Sequence, residues 1–234
     1  MYYSHLRYFI NIKPIKLTLL SKLYLHLDMG ISERKEKQKA ELKQLILEAS
    51  VKLFSEHGYD GFSMRKIAEM IEYSPTTVYL YFKDKNEILF DLHEIGFRKF
   101  EEPNRDLLTI KNPLLRLHKM GENYIKFGLE NPEYYDLMFL LPAPMEFIDQ
   151  VNNIEWNGGD RALTALKGLI QECIDKKLIK EGDINAIAMG IWGMVHGLVS
   201  LYIRRRCDKL IKEEEIIPTM YQSLNWMINV LEVD

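Results

Sequence analysis

The sequence predicts an all-α protein, in which a small three-helix unit precedes a larger helical part. Apolar residues recur at spacings of three and four along most of the chain, which places them on one face of successive helices. Residues that favour helix starts, such as Ser63, or Ser74 followed by Pro75, stand directly before several of these periodic stretches. We expect the three-helix unit at residues 33–83 and the larger helical part at 84–234.

The stretch 63–87 predicts two short helices joined by a tight turn, followed by the start of a third helix. Ser63 and Ser74 are placed to cap the two short helices, because a serine hydroxyl accepts a hydrogen bond from a free backbone N–H. Asp84 and Glu87 have the spacing of a capping box for the next helix. Two short helices that meet steeply form a helix-turn-helix, whose second helix enters the major groove of DNA.

A longer amphipathic helix is predicted before this motif, with a densely charged beginning at residues 33–43. Its apolar stripe consists of Leu42, Leu45, Ile46, Ala49, Leu53 and Phe54. We expect this stripe to pack on Ile67, Ile71 and Val78, and we expect Gly58 to end the helix as a C′ glycine.

Three sequence stretches stand in order from residue 46 onward: ILEASVKLFSEHGYDGF, SMRKIAEMI and SPTTVYLYFKDKNEIL. This ordered set resembles the TetR family of bacterial one-component regulators, and the resemblance covers roughly residues 40–92. Glu72 stands where the family often has glycine, and Leu80 where it often has a polar or aromatic residue. The resemblance implies an N-terminal DNA-binding domain and a C-terminal domain for ligand binding and dimerisation.

The resemblance also implies which side chains contact DNA. The expected set is Ser63, Ser74, Pro75, Thr76, Thr77, Tyr79, Leu80, Tyr81 and Lys85. By resemblance, Thr76, Thr77, Tyr79 and Leu80 face the groove, with the two threonines as the expected base contacts. Tyr79, Tyr81 and Lys85 resemble the phosphate contacts of the family. The alternative for each tyrosine of the set is packing on the first helix, and an exposed Leu80 without any contact is also consistent with the sequence.

The part of the chain after residue 84 predicts further helices, and no flexible linker separates it from the three-helix unit. The expected helix starts are Asp84, Asn112, Asn131, Asp160, Asp183 and about Glu213. Residues 141–159 are expected to form a long connection with one short helix, closed by Gly158 and Gly159. The helix that begins at Asp84 joins the two parts, so we expect it to couple ligand binding to DNA binding.

Aromatic and large apolar side chains of the second part predict an effector pocket between helices. The candidate lining is Tyr124, Phe127, Tyr135, Met138, Phe139, Trp192 and His196. Asn-Pro-Glu-Tyr at 131–134 and Trp-x-x-x-His-Gly at 192–197 resemble one TetR subgroup. These side chains predict an apolar or aromatic effector, and the alternative for each is ordinary core packing, including a satisfied core histidine at His196.

Glycines within the long apolar helix predict a close helix–helix contact, because a helical glycine costs roughly 1 kcal/mol relative to alanine. In the TetR family, the last two helices form a four-helix bundle across a two-fold axis. The expected dimer interface therefore includes Gly190, Gly193, Gly197, Leu201, Leu224 and Met227. The alternative is that the glycines allow tight packing inside one subunit.

Composition limits the other classes of function. The net charge of −3 excludes a globally basic nucleic-acid coat, so DNA affinity has to come from local charge and helix termini. Cys173 and Cys207 lack metal-ligand spacing and suit a reducing cytoplasm. The six histidines lack the helical pairings of metal sites, and we expect no catalytic residues, cofactor or metal.

Together these observations predict a cytoplasmic, ligand-responsive transcriptional repressor that binds a palindromic operator as a homodimer. We expect double-stranded DNA, a second copy of the chain and a small-molecule effector as partners, and no membrane. The alternatives are a helical protein-interaction adaptor and an all-α enzyme that does not bind DNA.

An N-terminal extension at residues 1–32 has its own interpretations. Basic residues interrupt 1–28 too often for a membrane span, and the stretch lacks the core and cleavage site of a signal peptide. The sequence from Met29 onward looks like an ordinary start for the TetR family. The hypotheses are a start codon assigned too early, a disordered basic arm that touches DNA, or a segment at a membrane surface.

Overall fold

A computed structural model describes residues 30–151 and 155–233, and it confirms the predicted all-α class. Its α-helices are α1 (Ile31–Gly61), α2 (Met64–Met70), α3 (Pro75–Tyr79), α4 (Lys85–Glu101), α5 (Pro113–Glu130), α6 (Pro132–Tyr135), α7 (Ala143–Gln150), α8 (Asn157–Asp175), α9 (Ile184–Ile203) and α10 (Glu213–Leu231). A 3₁₀ helix (Glu102–Thr109) follows α4, and a π-helix (Asp136–Leu140) follows α6. The hypotheses about residues 1–28 lie outside the described residues.

The chain divides into two compact units between Ile46 and Leu47, within α1. The first unit contributes the beginning of α1, and the second contains the rest of α1 and every later helix. The predicted boundaries at residues 33 and 84 follow function rather than compactness and stay predictions.

The caps that begin α2 and α3 are formed as predicted. Ser63 Oγ accepts a hydrogen bond from the backbone N–H of Lys66 at 3.3 Å, and Ser74 Oγ accepts one from the N–H of Thr77 at 3.2 Å. Glu72 lies in the turn between the helices with a φ of 60°, a conformation that glycine adopts more easily than glutamate. The local sequence therefore specifies both helix starts, while the turn carries strain at one residue.

Gly58 interrupts α1 as predicted: its φ of 62° and ψ of −167° are not helical, and a short helical stretch follows it to Gly61. Two other details of the N-terminal helices differ from the predictions. Leu45 is 39% exposed, although it belongs to the predicted apolar stripe. Asp84 caps α4 as expected, but Glu87 accepts its hydrogen bond from the N–H of Lys83, at 2.5 Å, instead of that of Asp84.

The core of the C-terminal part lies between α4, α5, α8, α9 and α10. Two glycines of α5 let neighbouring helices approach closely. A Cβ on Gly121 would lie 2.6 Å from Leu224 Cδ1, and a Cβ on Gly128 would lie 2.2 Å from Val199 Cγ1. The α5 helix is therefore the central element against which α9 and α10 pack.

The connection between α6 and α8 contains the predicted short helix, α7, but α8 begins at Asn157 and not at Asp160. Gly158 and Gly159 lie within the first turn of α8 and do not close the connection. A Cβ on Gly158 would lie 2.4 Å from Phe97 Cγ, and one on Gly159 would lie 2.3 Å from the Trp156 ring. The two glycines are needed because this turn lies directly against large side chains.

Among the described residues, α9 is the single helix whose length and apolar composition meet the requirements of a membrane span. A core helix of a soluble protein meets the same requirements, so the observation is weak evidence for a membrane. The α9 helix packs on α5 and α8, and its buried residues are Ala188, Ile191, Val195 and Val199.

Candidate DNA-binding surface and effector cavity

The short helix α3 presents a mostly exposed surface that matches the predicted base-reading face. Thr76 is exposed, Tyr79 is 55% exposed and Leu80, which ends the helix, is 76% exposed. Val78 and Phe82 are buried and hold the helix on the domain. The exposed Leu80 offers methyl groups, which suit a contact with a thymine methyl group.

The second threonine of α3 already has a hydrogen-bond partner. Thr77 Oγ1 lies 2.9 Å from Ser74 Oγ, and the same serine accepts the N–H of Thr77 at 3.2 Å. The Thr77 hydroxyl is therefore engaged in the helix cap, whereas Thr76 is exposed at the first turn. Of the two threonines, Thr76 is the better placed to contact a base edge.

Lys85, at the start of α4, is held in place by an aromatic ring. Its Nζ lies 3.7 Å from the centroid of the Tyr59 ring, and the Tyr59 hydroxyl lies 3.5 Å from Asn86 Oδ1. A cation over an aromatic face is attracted to it, which restricts the ammonium group without neutralising it. Lys85 and the half-buried Tyr81 remain consistent with contacts to phosphates.

A cavity of about 680 Å³ lies between α4, α5, α8 and α9. This volume is within the usual range of ligand pockets, about 300–1,000 Å³. Three of the predicted lining residues, Tyr124, Phe139 and Trp192, face it. The other four belong to the surroundings of the cavity and not to its wall: Phe127, Tyr135, Met138 and His196.

Sequence reasoning missed most of the apolar wall. The missed residues include Phe97, Phe100, Leu117, Trp156, Ile191 and Val195. Phe97 and Phe100 stand three residues apart on α4, and Ile191 and Val195 stand four apart on α9, so both pairs carry a helical signal. That signal indicates a buried face, but it does not distinguish a core face from a cavity wall.

The inner side of the cavity is backed by a chain of uncharged hydrogen-bonding groups. Trp192 Nε1 donates a hydrogen bond to the Tyr124 hydroxyl at 3.2 Å. The Tyr124 hydroxyl in turn lies 3.2 Å from the Tyr135 hydroxyl. The Tyr135 hydroxyl lies 2.7 Å from His196 Nδ1, and His196 Nε2 lies 3.3 Å from Ser200 Oγ. Each of these side chains has a partner, so His196 is a half-buried histidine whose two ring nitrogens are both satisfied.

Burial keeps this chain of groups neutral. Desolvation lowers the pKa of His196, raises the pKa of Tyr135 to about 12 and raises the pKa of Tyr124 even further. A charged effector group would therefore find no opposite charge among these residues. The inner side suits an apolar chain or an uncharged polar group.

Charged residues line the cavity near the end of α4 and the start of α8. The charged lining residues are Glu101, Arg105, Glu155, Asp160 and Arg161. Arg161 Nε is 2.9 Å from Glu101 Oε1, so these two form an ion pair across the α4–α8 contact. An elongated effector with one polar end fits this distribution of apolar and charged wall.

One face of α9 lines the cavity, but the outer face of α9 has little to pack against within the described part of the subunit. A Cβ on Gly190, Gly193 or Gly197 would meet no atom within 4 Å among the described residues. Leu201, also in the predicted interface, is 47% exposed. Close packing inside this subunit therefore does not explain the glycines.

The two predicted interface residues on α10, Leu224 and Met227, do not lie on the surface of the subunit. Leu224 is 1% exposed and Met227 is 8% exposed, so both belong to the core of the subunit. The large apolar residues of α10 that face outward are Trp226 and Val230, at 67% and 53% exposure. The burial of Leu224 and Met227 argues against a place for these two side chains in an interface, whereas the assignment of α10 to the interface stays a prediction.

Comparison with known families accounts for both parts of the chain. Residues 46–92 match the family model "Bacterial regulatory proteins, tetR family", and residues 117–222 match "Tetracyclin repressor-like, C-terminal domain". Together the two matches cover well over half of the chain.

No group of three histidine, cysteine or acidic residues that would hold a metal occurs among the described residues.

Individual proteins similar to this chain are also named as regulators. A Fatty acid metabolism regulator protein of Bacillus subtilis (strain 168) is 27% identical over 172 residues, which are 71% of this chain and 86% of the relative. The crystal structure of PfmR, a TetR-family transcriptional regulator from Thermus thermophilus, is 20% identical with a TM-score of 0.59, over 80% of this chain and 99% of that one. The fatty acid degradation regulator FadR from Bacillus halodurans is 23% identical with a TM-score of 0.60, over 77% and 93% of the two chains. The chain belongs to the TetR family and is a DNA-binding transcriptional regulator.

Proposed function

We propose that this regulator is a homodimeric repressor that works in the cytoplasm and leaves a palindromic operator when an acyl-chain effector fills its cavity. One observation carries the proposal: the largely apolar cavity is lined by Phe97 and Phe100 of α4. The same helix begins directly after the helix-turn-helix, at Lys85. A single helix therefore connects the cavity wall to the DNA-binding surface.

The effector class is inferred from the shape and polarity of the cavity together with the relatives. A volume of about 680 Å³ with an uncharged inner side and charged residues at one end suits a long apolar chain with one polar end. Two relatives are named as regulators of fatty acid metabolism or degradation. An acyl chain is the chemistry that these observations share.

The dimer is inferred from the outward surfaces of α9 and α10. TetR-family regulators dimerise, and an apolar surface of this kind marks a protein interface. We assign the interface to Gly190, Gly193 and Gly197 with Leu201, Trp226 and Val230 around them. Two recognition helices would then enter successive major grooves roughly 34–36 Å apart.

DNA contacts are tested with the duplex that the wild-type protein selects from a random library. Lys85→Ala is expected to weaken binding to every sequence and to lower the salt dependence by about one unit of slope. Thr76→Ala is expected to change the selected sequence, whereas Thr77→Ala should change it less because its hydroxyl is bonded to Ser74. Lys126→Ala, on α5, is the matched control and should leave binding unchanged. Unchanged sequence preference in both threonine variants would contradict the assignment of α3 as the base-reading helix.

The effector is tested by calorimetry with saturated fatty acids of 8, 12 and 16 carbons and with their coenzyme A thioesters. Burial of each CH₂ contributes about 0.8 kcal/mol, which is roughly a fourfold gain in affinity. Affinity should therefore rise steeply with chain length in one of the two series, and bound ligand should release the selected duplex. Affinity that does not depend on chain length, or binding of short charged metabolites alone, would refute an acyl effector.

A further inference from the structure

The contact between Trp156 and His93 joins the cavity wall to the helix that follows the DNA-binding motif. Trp156 precedes the first turn of α8 and lines the cavity. Its indole Nε1–H donates a hydrogen bond to Nε2 of His93, on α4, at 2.9 Å. His93 lies two turns after the start of α4 and is fully buried.

His93 is fixed in one orientation by its neighbours. Its ring stacks on Phe90 at a centroid distance of 5.9 Å and meets the edge of Phe97 at 4.9 Å. The indole N–H is only a donor, so Nε2 of His93 has to accept, and the proton of the neutral ring is on Nδ1. Nδ1 faces Glu94 Oε1 at 3.4 Å. Two neighbours of His93, Phe97 and Trp156, line the cavity, and of these two only Trp156 is hydrogen-bonded to the histidine.

The Trp156 indole packs closely against the first turn of α8. A Cβ on Gly159 would lie 2.3 Å from the Trp156 ring, and a Cβ on Gly158 would lie 2.4 Å from Phe97. Two consecutive glycines near a helix start are thus explained by close contacts with the indole and with α4. An occupant that pressed on the indole would move it from this position and break the hydrogen bond to His93.

We propose that the Trp156–His93 hydrogen bond is the contact through which the cavity controls α4, and that it is intact in the state that binds the operator. This inference rests on the proposed function, because it takes repression to be relieved by the effector. Trp156 and His93 are positioning residues: neither touches DNA, and each acts through the placement of α4. Loss of the contact should therefore imitate the effector.

The test measures affinity for the selected duplex without any effector. Trp156→Phe keeps an aromatic ring and removes the N–H donor, and His93→Phe removes the acceptor. Each variant is expected to bind the duplex roughly fivefold or more weakly, the lower end of typical couplings between sites. The double variant should be no weaker than either single variant, because both remove the same hydrogen bond.

Two further variants make the test independent of a folding defect. Gly159→Ala leaves both partners in place and pushes on the indole, so it should also weaken operator binding. Tyr221→Phe is the matched control: it also removes one polar atom from an aromatic side chain, but Tyr221 is on α10, packs against the core and does not line the cavity. It should bind the duplex as the wild type does. Circular dichroism of each variant shows whether it is folded.

The outcomes separate this inference from the acyl effector. Operator affinity equal to wild type in folded Trp156→Phe, His93→Phe and Gly159→Ala, or tighter binding in any of them, overturns the inference. Equal weakening in Tyr221→Phe also overturns it, because the effect would then follow from any loss of a polar atom from an aromatic side chain of the C-terminal part. If neither palmitate nor palmitoyl-coenzyme A binds the wild type, the acyl effector is wrong, and the measurements without effector still decide the role of the Trp156–His93 contact.

Discussion

Two glycine-to-alanine substitutions test whether the glycines of α9 lie in a dimer interface, as distinct from the general effect of alanine on helix stability. Gly193 on α9 and Gly168 on α8 are both exposed within helices, and a Cβ on either would meet no described atom within 4 Å. Within one subunit the two positions are therefore equivalent. Alanine at either one should raise the free energy of unfolding by about 0.8–1.0 kcal/mol, because alanine is the better helix former.

The positions differ if Gly193 meets the partner subunit. A methyl group added to a close-packed contact costs about 1–3 kcal/mol, and a two-fold axis inserts it from both sides. Since about 1.4 kcal/mol is a tenfold change in an equilibrium constant, Gly193→Ala should raise the dimer dissociation constant at least roughly tenfold. Gly168→Ala should leave the dissociation constant unchanged.

Sedimentation velocity over a range of protein concentrations measures the dimer constant, and urea unfolding at fixed concentration measures stability. Concentration has to be fixed because dimer formation itself contributes to apparent stability. We expect Gly168→Ala to be a more stable dimer and Gly193→Ala to dissociate more readily. If Gly193→Ala dimerises as tightly as wild type and gains the same stability as Gly168→Ala, the assignment of α9 glycines to the interface is wrong.

Three other predictions concern stability and are measured by urea unfolding. Glu72→Gly should stabilise the protein by about 1 kcal/mol, because Glu72 has a φ of 60° that glycine adopts without strain. Gly128→Ala should destabilise it by about 1–3 kcal/mol, because the new Cβ would lie 2.2 Å from Val199 Cγ1. Burial lowers the pKa of His93 from 6.5 to about 4, so the unfolded chain takes up a proton at a higher pH than the folded one. Stability from His93 should be complete above pH 6.5 and fall by about 3 kcal/mol as the pH drops to 4, a fall that His93→Phe should abolish.

The helix-turn-helix was predictable from sequence because its determinants are local. Ser63 and Ser74 cap helices that begin one residue later, and no distant contact is needed to recognise them. The family pattern also indicated the backbone conformation at residue 72: the family often has glycine there, and Glu72 has the positive φ that glycine favours. The break at Gly58 was predictable for the same reason, since a glycine with positive φ commonly ends a helix, whereas the short helical stretch from there to Gly61 was not predicted.

The lining of the cavity was only partly predictable, because it depends on how helices rotate against one another. Phe127 and Phe139 are both large, apolar and aromatic, yet Phe139 lines the cavity and Phe127 lies in the core. Trp156 has no periodic signal that would indicate a place in the cavity wall, since it lies in a connection between helices. Periodicity identifies a covered face, and only the packing of neighbouring helices determines what covers it.

The composition of α9 follows from having to be covered on two sides. A helix that is apolar around its whole circumference is ordinarily buried all round. In α9, Ile191 and Val195 face the cavity, but Gly190 and Gly193 on the outer side meet no described side chain. One subunit therefore covers half of a helix whose sequence calls for complete burial, and we propose that a second copy of the chain covers the other half. The same arrangement would explain why α9 has the composition of a membrane span, and why its three glycines, Gly190, Gly193 and Gly197, lie where no described side chain meets them and a second helix could approach closely.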